Sequence, residues 1–516
     1  MGVPPGGHGT SETRPDWTLS KILGRAAGAG HRFTGRSIHH AQMVHPDHGR
    51  WTIRDRFTPY CGRSQLSCAA ATTTGATLQM TRQVGSALLT TRQRACRRMP
   101  VPSIPVLVLL GIVLAANPAM ATSEADLRAK ATAVHARVLT IDTHIDIPPD
   151  FGTAAYDILR AKLPRQKVDL PGMERGGLDA AFFVVFVPQR DRNSPGYARA
   201  VADAFVKVAA IRRMTDTQHP DRIGLALTAA DVRRLHREGR RVALMGMENG
   251  YALGRHPELL DTYYEYGVRY LGLLHNGHND IGDSAVPSRR RGEPQAEHGG
   301  LSAFGRAVIA RANALGIMVD ISHASMPTAL DAIRTSRAPV IASHSAVRGV
   351  RDHPRNLSDE TLEALGRNGG MVSIVAFDSY LRAVPEEKQD ALARLRAEFG
   401  LNDALDWERM SEAERDAYVA GRVRLDRTWP RASVGDLVDH IDYAVARIGI
   451  DHVGITSDFN GGGGIEGWNQ VGESLNVTIE LVRRGYREDE IAKLWGGNLL
   501  RVMEAVEAVA SGSPGN

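Results

Sequence analysis

Seven residues able to bind a metal ion or carry a proton stand at or just beyond the ends of short apolar runs. His144 and Asp146 close VLTIDTHIDI, Glu248 follows VALMGM, and His275 follows VRYLGLL. His323 comes soon after IMVDI, His344 soon after PVIA, and Asp458 soon after HVGIT. Histidine nitrogen and carboxylate oxygen are the donors that zinc and similar ions take. Such donors without a cysteine suit a hydrolytic metal site, in which a carboxylate can bridge two ions about 3.5–4 Å apart that share a hydroxide. Residues two apart in a strand point to the same side, so His144 and Asp146 can face one site together. One HxD pair is a weak signal. Four histidines and three carboxylates, all placed after apolar runs, are a pattern.

The elements that must position these residues follow from the apolar periodicity. Eight β-rich runs are expected at 138–147, 180–187, 242–247, 268–274, 317–321, 339–342, 371–376 and 452–456. Helical patterns fall between most of them, among them 302–315, 326–336 and 358–367, and 488–506 reads as a last helix. Ser358 followed by Asp359 and Glu360 is a plausible helix start. Alternating strands and helices imply a parallel sheet. Eight repeats predict an α/β fold closed as a (β/α)8 TIM-like barrel, whose active sites are built at the carboxyl ends of the strands. No GxGxxG motif follows the first run, which removes the simplest dinucleotide-binding reading. Residues 381–435, after the seventh predicted strand, are highly charged and helical in pattern. A solvated helical insertion is the favoured reading of this stretch, with a lid or the contact of a homodimer as functional alternatives.

The segments IDTHIDIP, MGMENG, LLHNGHND, VDISHAS, PVIASHSAVRGV, HPRNLSDE, GITSDFNGG and WGGNLLRV occur in this order over residues 141–503. As an ordered set they resemble the membrane dipeptidase (renal dipeptidase-like) family, peptidase family M19. The resemblance implies a barrel of the metal-dependent hydrolase type holding two Zn2+ ions. His144 and Asp146 would bind one ion, His323 and His344 the other, and Glu248 would bridge them. It implies further that His275 contacts the substrate and the tetrahedral intermediate, that Asp458 transfers a proton, and that Arg355 holds the substrate carboxylate. Without the family, Arg355 reads as a surface loop arginine. The implied activity is hydrolysis of dipeptides by a metal-bridging hydroxide.

Two other readings compete. One is a related metal-dependent amidohydrolase acting on an N-acyl amino acid, a lactone or a β-lactam. Many such barrels carry HxH after the first strand and a metal-bridging lysine after the fourth, whereas this chain has HxD at 144–146 and His275 at the fourth position. The other is a binding protein on a barrel scaffold, against which the full ligand set argues. His278 and His353 lie near the candidate residues and read as polar loop residues rather than ligands.

Composition divides the chain of 516 residues unevenly. Residues 1–100 carry 14 of the 63 Lys and Arg but 4 of the 58 Asp and Glu, so that block is net +10 and the remainder net −5. All three cysteines (Cys61, Cys68 and Cys96) lie in it as well. Arg97-Arg98-Met99, the apolar stretch 104–116 and Ala119-Met120-Ala121 have the three parts of a secretory signal peptide. The apolar stretch is short of the roughly 20 residues a spanning helix needs. The expectation is therefore an export signal at 99–121, a mature domain at 122–516 without a stable membrane span, and an unstructured or mis-annotated extension at 1–98. Nucleic-acid binding would rest on that basic block alone and is not expected. N-terminal sequencing of the native protein checks this organisation: a first residue near Thr122 is expected, and one upstream of Met99 contradicts it.

Overall fold

The computed structural model describes residues 123–160 and 163–512. The expected signal segment and the extension at 1–98 lie outside the described residues. Strands β1 (Ile141–Asp146), β2 (Ala180–Phe186), β3 (Ile223–Leu225), β4 (Arg241–Glu248) and β5 (Val268–Gly272) are followed by β6 (Met318–Asp320), β7 (Val340–Ser345), β8 (Met371–Val375) and β9 (Val453–Thr456). All eight predicted runs are strands. The ninth, β3, was not expected; it has three residues and pairs only with β4. The sheet order is β1-β2-β4-β5-β6-β7-β8-β9, all parallel. A bridge between Ile145 and Phe459 brings β9 back to β1. The result is a nearly closed barrel of eight strands with helices between them, a (β/α)8 TIM-like fold.

Alternation along each strand supplies two apolar layers. Ala181, Phe183 and Val185 of β2 pack in one cluster with Val208 and Ile211 of α3 (Ser194–Arg213); α1 (Glu124–His135) and α2 (Leu170–Gly176) precede that helix. Phe182 and Val184 fall in a second cluster with Leu244, Tyr270 and Met318. Helices α4 (Ala229–Arg237) and α5 (Leu259–Tyr266) flank β4, and α6 (Ala303–Leu315), α7 (Met326–Thr335) and α8 (Asp359–Arg367) follow β5, β6 and β7 in turn. Ser302, Ser325 and Ser358 start α6, α7 and α8, each accepting a hydrogen bond from the backbone N–H three residues on. Gly316 ends α6 in the left-handed conformation, at φ +80°.

The charged stretch after β8 forms α9 (Asp378–Leu381), α10 (Glu386–Glu398), α11 (Ala404–Arg409) and α12 (Glu412–Thr428), before α13 (Val434–Ile448) returns to the barrel. It has a small apolar centre at Leu395, Leu401 and Tyr418. It does not project freely into solvent, since several of its acidic side chains pair with basic residues on other barrel loops. Beyond β9, α14 (Leu475–Arg483) and α15 (Glu488–Ala492) lead to α16 (Asn498–Ser511). The run expected as one last helix is divided by a π-helical turn at Lys493–Gly497. No helix among the described residues is long and apolar enough to cross a membrane.

Closure of the barrel depends on a carboxylate that the sequence reading passed over. Asp142 is fully buried. Its Oδ1 accepts hydrogen bonds from His144 N at 3.1 Å, Thr456 Oγ1 at 2.7 Å and Ser457 N at 3.1 Å, so it ties β1 to β9. Removing it would strand buried donors, each costing about 1–3 kcal/mol. Asp142→Ala is therefore expected to lower the unfolding free energy by about 3–5 kcal/mol, measured by urea denaturation. A loss under about 1 kcal/mol would show that closure does not need this group.

Candidate metal centre

The seven candidate residues converge at the carboxyl end of the barrel. His144 and Asp146 lie in β1, Glu248 is the last residue of β4, and His344 lies in β7. His275, His323 and Asp458 stand a few residues past the ends of β5, β6 and β9. Their backbones are bent for the purpose. His323 has φ +66° and Asp458 φ +54°, and Asn249, directly after Glu248, has φ +73°. Non-glycine residues rarely adopt these angles and cluster where function requires them.

Glu248 sits at the centre. Its Oε1 is 3.2 Å from His323 Nε2 and 3.4 Å from His344 Nε2, while its Oε2 is 3.7 Å from His144 Nε2. His144 Nε2 is also 3.9 Å from Asp146 Oδ2 and 4.0 Å from Asp458 Oδ1. The ring of His275 lies against that of His323, with centroids 4.3 Å apart, and against Phe186 at 4.6 Å. Three ligand triads share these atoms: His144–Glu248–His344, Glu248–His275–His323 and His144–Asp146–Asp458.

The far sides of three of the four imidazoles, those of His144, His323 and His344, are held by neighbouring groups. Ser343 Oγ donates to Asp320 Oδ2 at 2.7 Å and so accepts from His344 Nδ1 at 2.9 Å. Asn276 Oδ1 accepts from His323 Nδ1 at 3.1 Å. Protons held on Nδ1 leave both Nε2 lone pairs facing Glu248, the tautomer a metal ligand requires. Tyr270 Oη lies 2.9 Å from His144 Nδ1. Its ring crosses the barrel where Gly246 has no side chain, since a Cβ there would collide with it. Asp320 also accepts from Ser322 N and Ser343 N, linking β6 to β7 as Asp142 links β1 to β9.

Arg355, in the loop after β7, is 3% exposed. Its Nη2 donates to His344 O at 3.1 Å, its guanidinium lies 5.4 Å from the Tyr380 ring centroid, and its Nε has no partner. It is not a surface arginine. His353 accepts the Arg355 backbone N–H, and His278 hydrogen-bonds within its own loop to Pro294 O and Ser284 N; neither joins the cluster. Gly461, beside the centre, has no room for a Cβ, which would meet the carboxylates of Asp146 and Asp458.

The electrostatics call for a cation. Glu248 and Asp458 are buried, and Asp146, its side chain 14% exposed, adds a third carboxylate beside them. Burial alone would push the His144 imidazole down, but Glu248, Asp146 and Asp458 outweigh it and push it up to about 10. Burial and Glu248 push Asp146 up to about 7, and burial with its neighbouring carboxylates holds Asp458 well above the usual carboxylate range. Burial would also raise Glu248, yet the facing imidazoles hold it well below its usual value. Burial, aided by Arg355, pushes His275 down to about 4. His144 Nε2 is buried without a hydrogen-bond partner. Two ligand atoms bound at about 2.1 Å around a tetrahedral ion stand about 3.4 Å apart, close to the spacings around Glu248. The donor set, the orphaned nitrogen and the surplus negative charge all fit a bound divalent metal.

The profile of the membrane dipeptidase family (Peptidase family M19) matches residues 128–515. The chain belongs to this family. The dipeptidase aclJ of Aspergillus oryzae is 34% identical over 349 residues, covering 67% of this chain and 71% of that protein. The probable dipeptidase PvdM of Pseudomonas aeruginosa is 36% identical with a TM-score of 0.66, over 75% of this chain and 100% of that structure. A metallopeptidase of Rhodobacter sphaeroides, solved with a phosphinate mimic of the dipeptide L-Ala-D-Ala, is 26% identical with a TM-score of 0.56, over 72% and 99%. The M19 chain is accordingly a metallo-dipeptidase, and its family implies small peptide substrates.

The facing carboxylates raise the proton affinity of the His144 imidazole, so a metal ion held at its Nε2 would compete with a proton. Uptake of a divalent metal is expected to release at least one proton near pH 7.5 and to tighten as pH rises from 6 to 9. Calorimetry in buffers of different ionisation enthalpy measures both. Affinity independent of pH, with no proton released, would contradict this account of the charge balance.

Proposed function

We propose that this protein is an exported dizinc dipeptidase. The observation that carries the reading is the placement of Glu248, whose two oxygens face different imidazoles: Oε2 the His144 side, Oε1 the His323 and His344 side. A carboxylate shared in this way suits a bridge between two ions. One ion would take His144 and Asp146, the other His323 and His344. Once bound, such ions supply Lewis acidity toward a carbonyl oxygen and a water nucleophile at neutral pH.

The chain's own residues do the rest. Arg355, buried beside His344, presents a planar cation for the free carboxylate of a dipeptide. His275 is neutral at pH 7, so an N–H can be offered to the carbonyl oxygen as charge builds there. Asp458, whose Oδ1 lies 4.0 Å from His144 Nε2, stands where it could take the proton of the attacking water and pass it to the leaving amine. A clamp on the carboxylate next to the scissile bond explains selection of dipeptides over longer chains extended at that end. Export is supported by the basic, apolar and small-residue parts of 97–121 and by the absence of cysteine from residues 122–516.

Hydrolysis of a dipeptide panel by the purified protein, with and without a chelator, tests the reading. Release of amino acids that the chelator abolishes and zinc restores is expected. Glu248→Ala should reduce turnover at least 1000-fold and lower bound metal from two ions toward one or none. Chelator-insensitive turnover, or none across a broad panel, defeats the proposal.

A further inference from the structure

Residues 382–432 leave the barrel after β8 and reach loops at other points of its carboxyl-end rim. In the strand order β1-β2-β4-β5-β6-β7-β8-β9, the strand opposite β8 is β4, flanked by β2 and β5. Helix α11 docks at that opposite rim. Asp403, at its start, and Asp406 reach Arg290 Nη1 in the loop after β5, at 3.1 and 3.2 Å. Glu408 reaches Arg190 in the loop after β2, at 3.6 Å, and Lys207 of α3, at 3.5 Å. Helix α12 then runs back. Its 17 residues span about 25 Å, and Glu412 and Asp416 hold Arg165 in the loop after β1, at 3.0 and 2.6 Å. One segment therefore bridges the rim at β1, β2 and β5 while rooted at β8.

The root is built as a single joint. Lys388, 1% exposed, lies 2.8 Å from Asp378 Oδ2 and 3.2 Å from Asp426 Oδ1. Asp426 also holds Arg431 at 2.6 Å, and Asp378 Oδ1 accepts the Ala432 N–H. Both ends of the segment are thus fastened together, and the rest is held to the rim by ion pairs, most of them partly exposed. Exposed pairs are weak and sensitive to salt, which suits a contact that must release.

The direction of the substrate follows from Arg355, in the loop after β7. The strand opposite β7 is β2. A peptide whose carboxylate meets Arg355 and whose scissile bond lies over Glu248 points its amino terminus at the β2 rim, where Glu408 meets Arg190 and Lys207. We propose that residues 382–432 roof the site and set the length of peptide accepted, with Glu408 closing the end that faces the substrate's amino terminus. Arg355 limits extension at the carboxyl end and the roof limits it at the amino end. This inference rests on the dipeptidase reading for the direction of the substrate.

The test compares the full-length protein on a dipeptide, its N-acetylated form and the tripeptide extended at the amino end. The wild-type protein is expected to favour the dipeptide at least 100-fold in kcat/KM. Glu408→Lys sets like charges against Arg190 and Lys207, and Arg290→Glu does the same to Asp403 and Asp406. Each should narrow that preference at least tenfold and speed amide exchange across 386–428. Wild-type protein in 1 M NaCl, where the screening length is about 3 Å, should shift in the same direction. Faster exchange with an unchanged preference would show that the roof does not read length. Unchanged exchange in both variants would show that these pairs do not latch it. Absence of any dipeptide turnover by the wild-type protein overturns the dipeptidase reading and the length limit together, while the exchange data still report on the latch.

Discussion

Negative charge confined in a dry space governs this molecule. Asp146, Glu248 and Asp458 lie within reach of one imidazole, His144; Glu248 and Asp458 are buried, and the Asp146 side chain is 14% exposed. Burying one carboxylate without a partner is costly, and burying several together more so. Within the chain that crowding raises the proton affinity of His144 and of Asp146. A metal ion removes the same stress without protons. The barrel therefore stores, in folded form, a demand for cations, and the chemistry of the site is the use made of that demand.

Holding mutually repelling groups in place requires a stiff frame. Three of the four imidazoles are fixed from behind: His344 by Ser343 and Asp320, His323 by Asn276, His144 by Tyr270. Asp142 and Asp320 repeat one device at two seams of the barrel, each a buried carboxylate that accepts backbone N–H groups from its own and the neighbouring strand end. The left-handed backbone at His323 and Asp458 is sustained by this surrounding order. The insertion is tied to loops at the barrel rim by ion pairs rather than by apolar packing.

Much of this was legible before the fold was known. The eight barrel strands were readable because buried parallel strands are nearly continuous apolar runs. Helix starts at Ser302, Ser325 and Ser358 carry a recognisable cap. The seven clustered residues were visible because each breaks an apolar run with a charge or an imidazole. Strand β3 was missed because it lies outside the eightfold alternation, pairing only with β4. Tyr270 and Asp142 were missed because they lie inside apolar runs, where a tyrosine or an aspartate does not reveal which partner it will meet. The charge of 381–435 suggested solvent; it is spent in part on Arg165, Arg190, Lys207 and Arg290, residues more than 100 positions away.

What the sequence determined alone was the kind of chemistry and the scaffold, since donor types and apolar periodicity are local properties that survive in a one-dimensional string. What only the tertiary structure decided was which oxygen of Glu248 faces which imidazole, that Arg355 is buried beside the cluster rather than on the surface, and where the inserted helices come to rest. These depend on distances between residues far apart in the chain, set by the order in which the strands close into a ring. No local pattern encodes that order, because it is the outcome of all the strands packing at once.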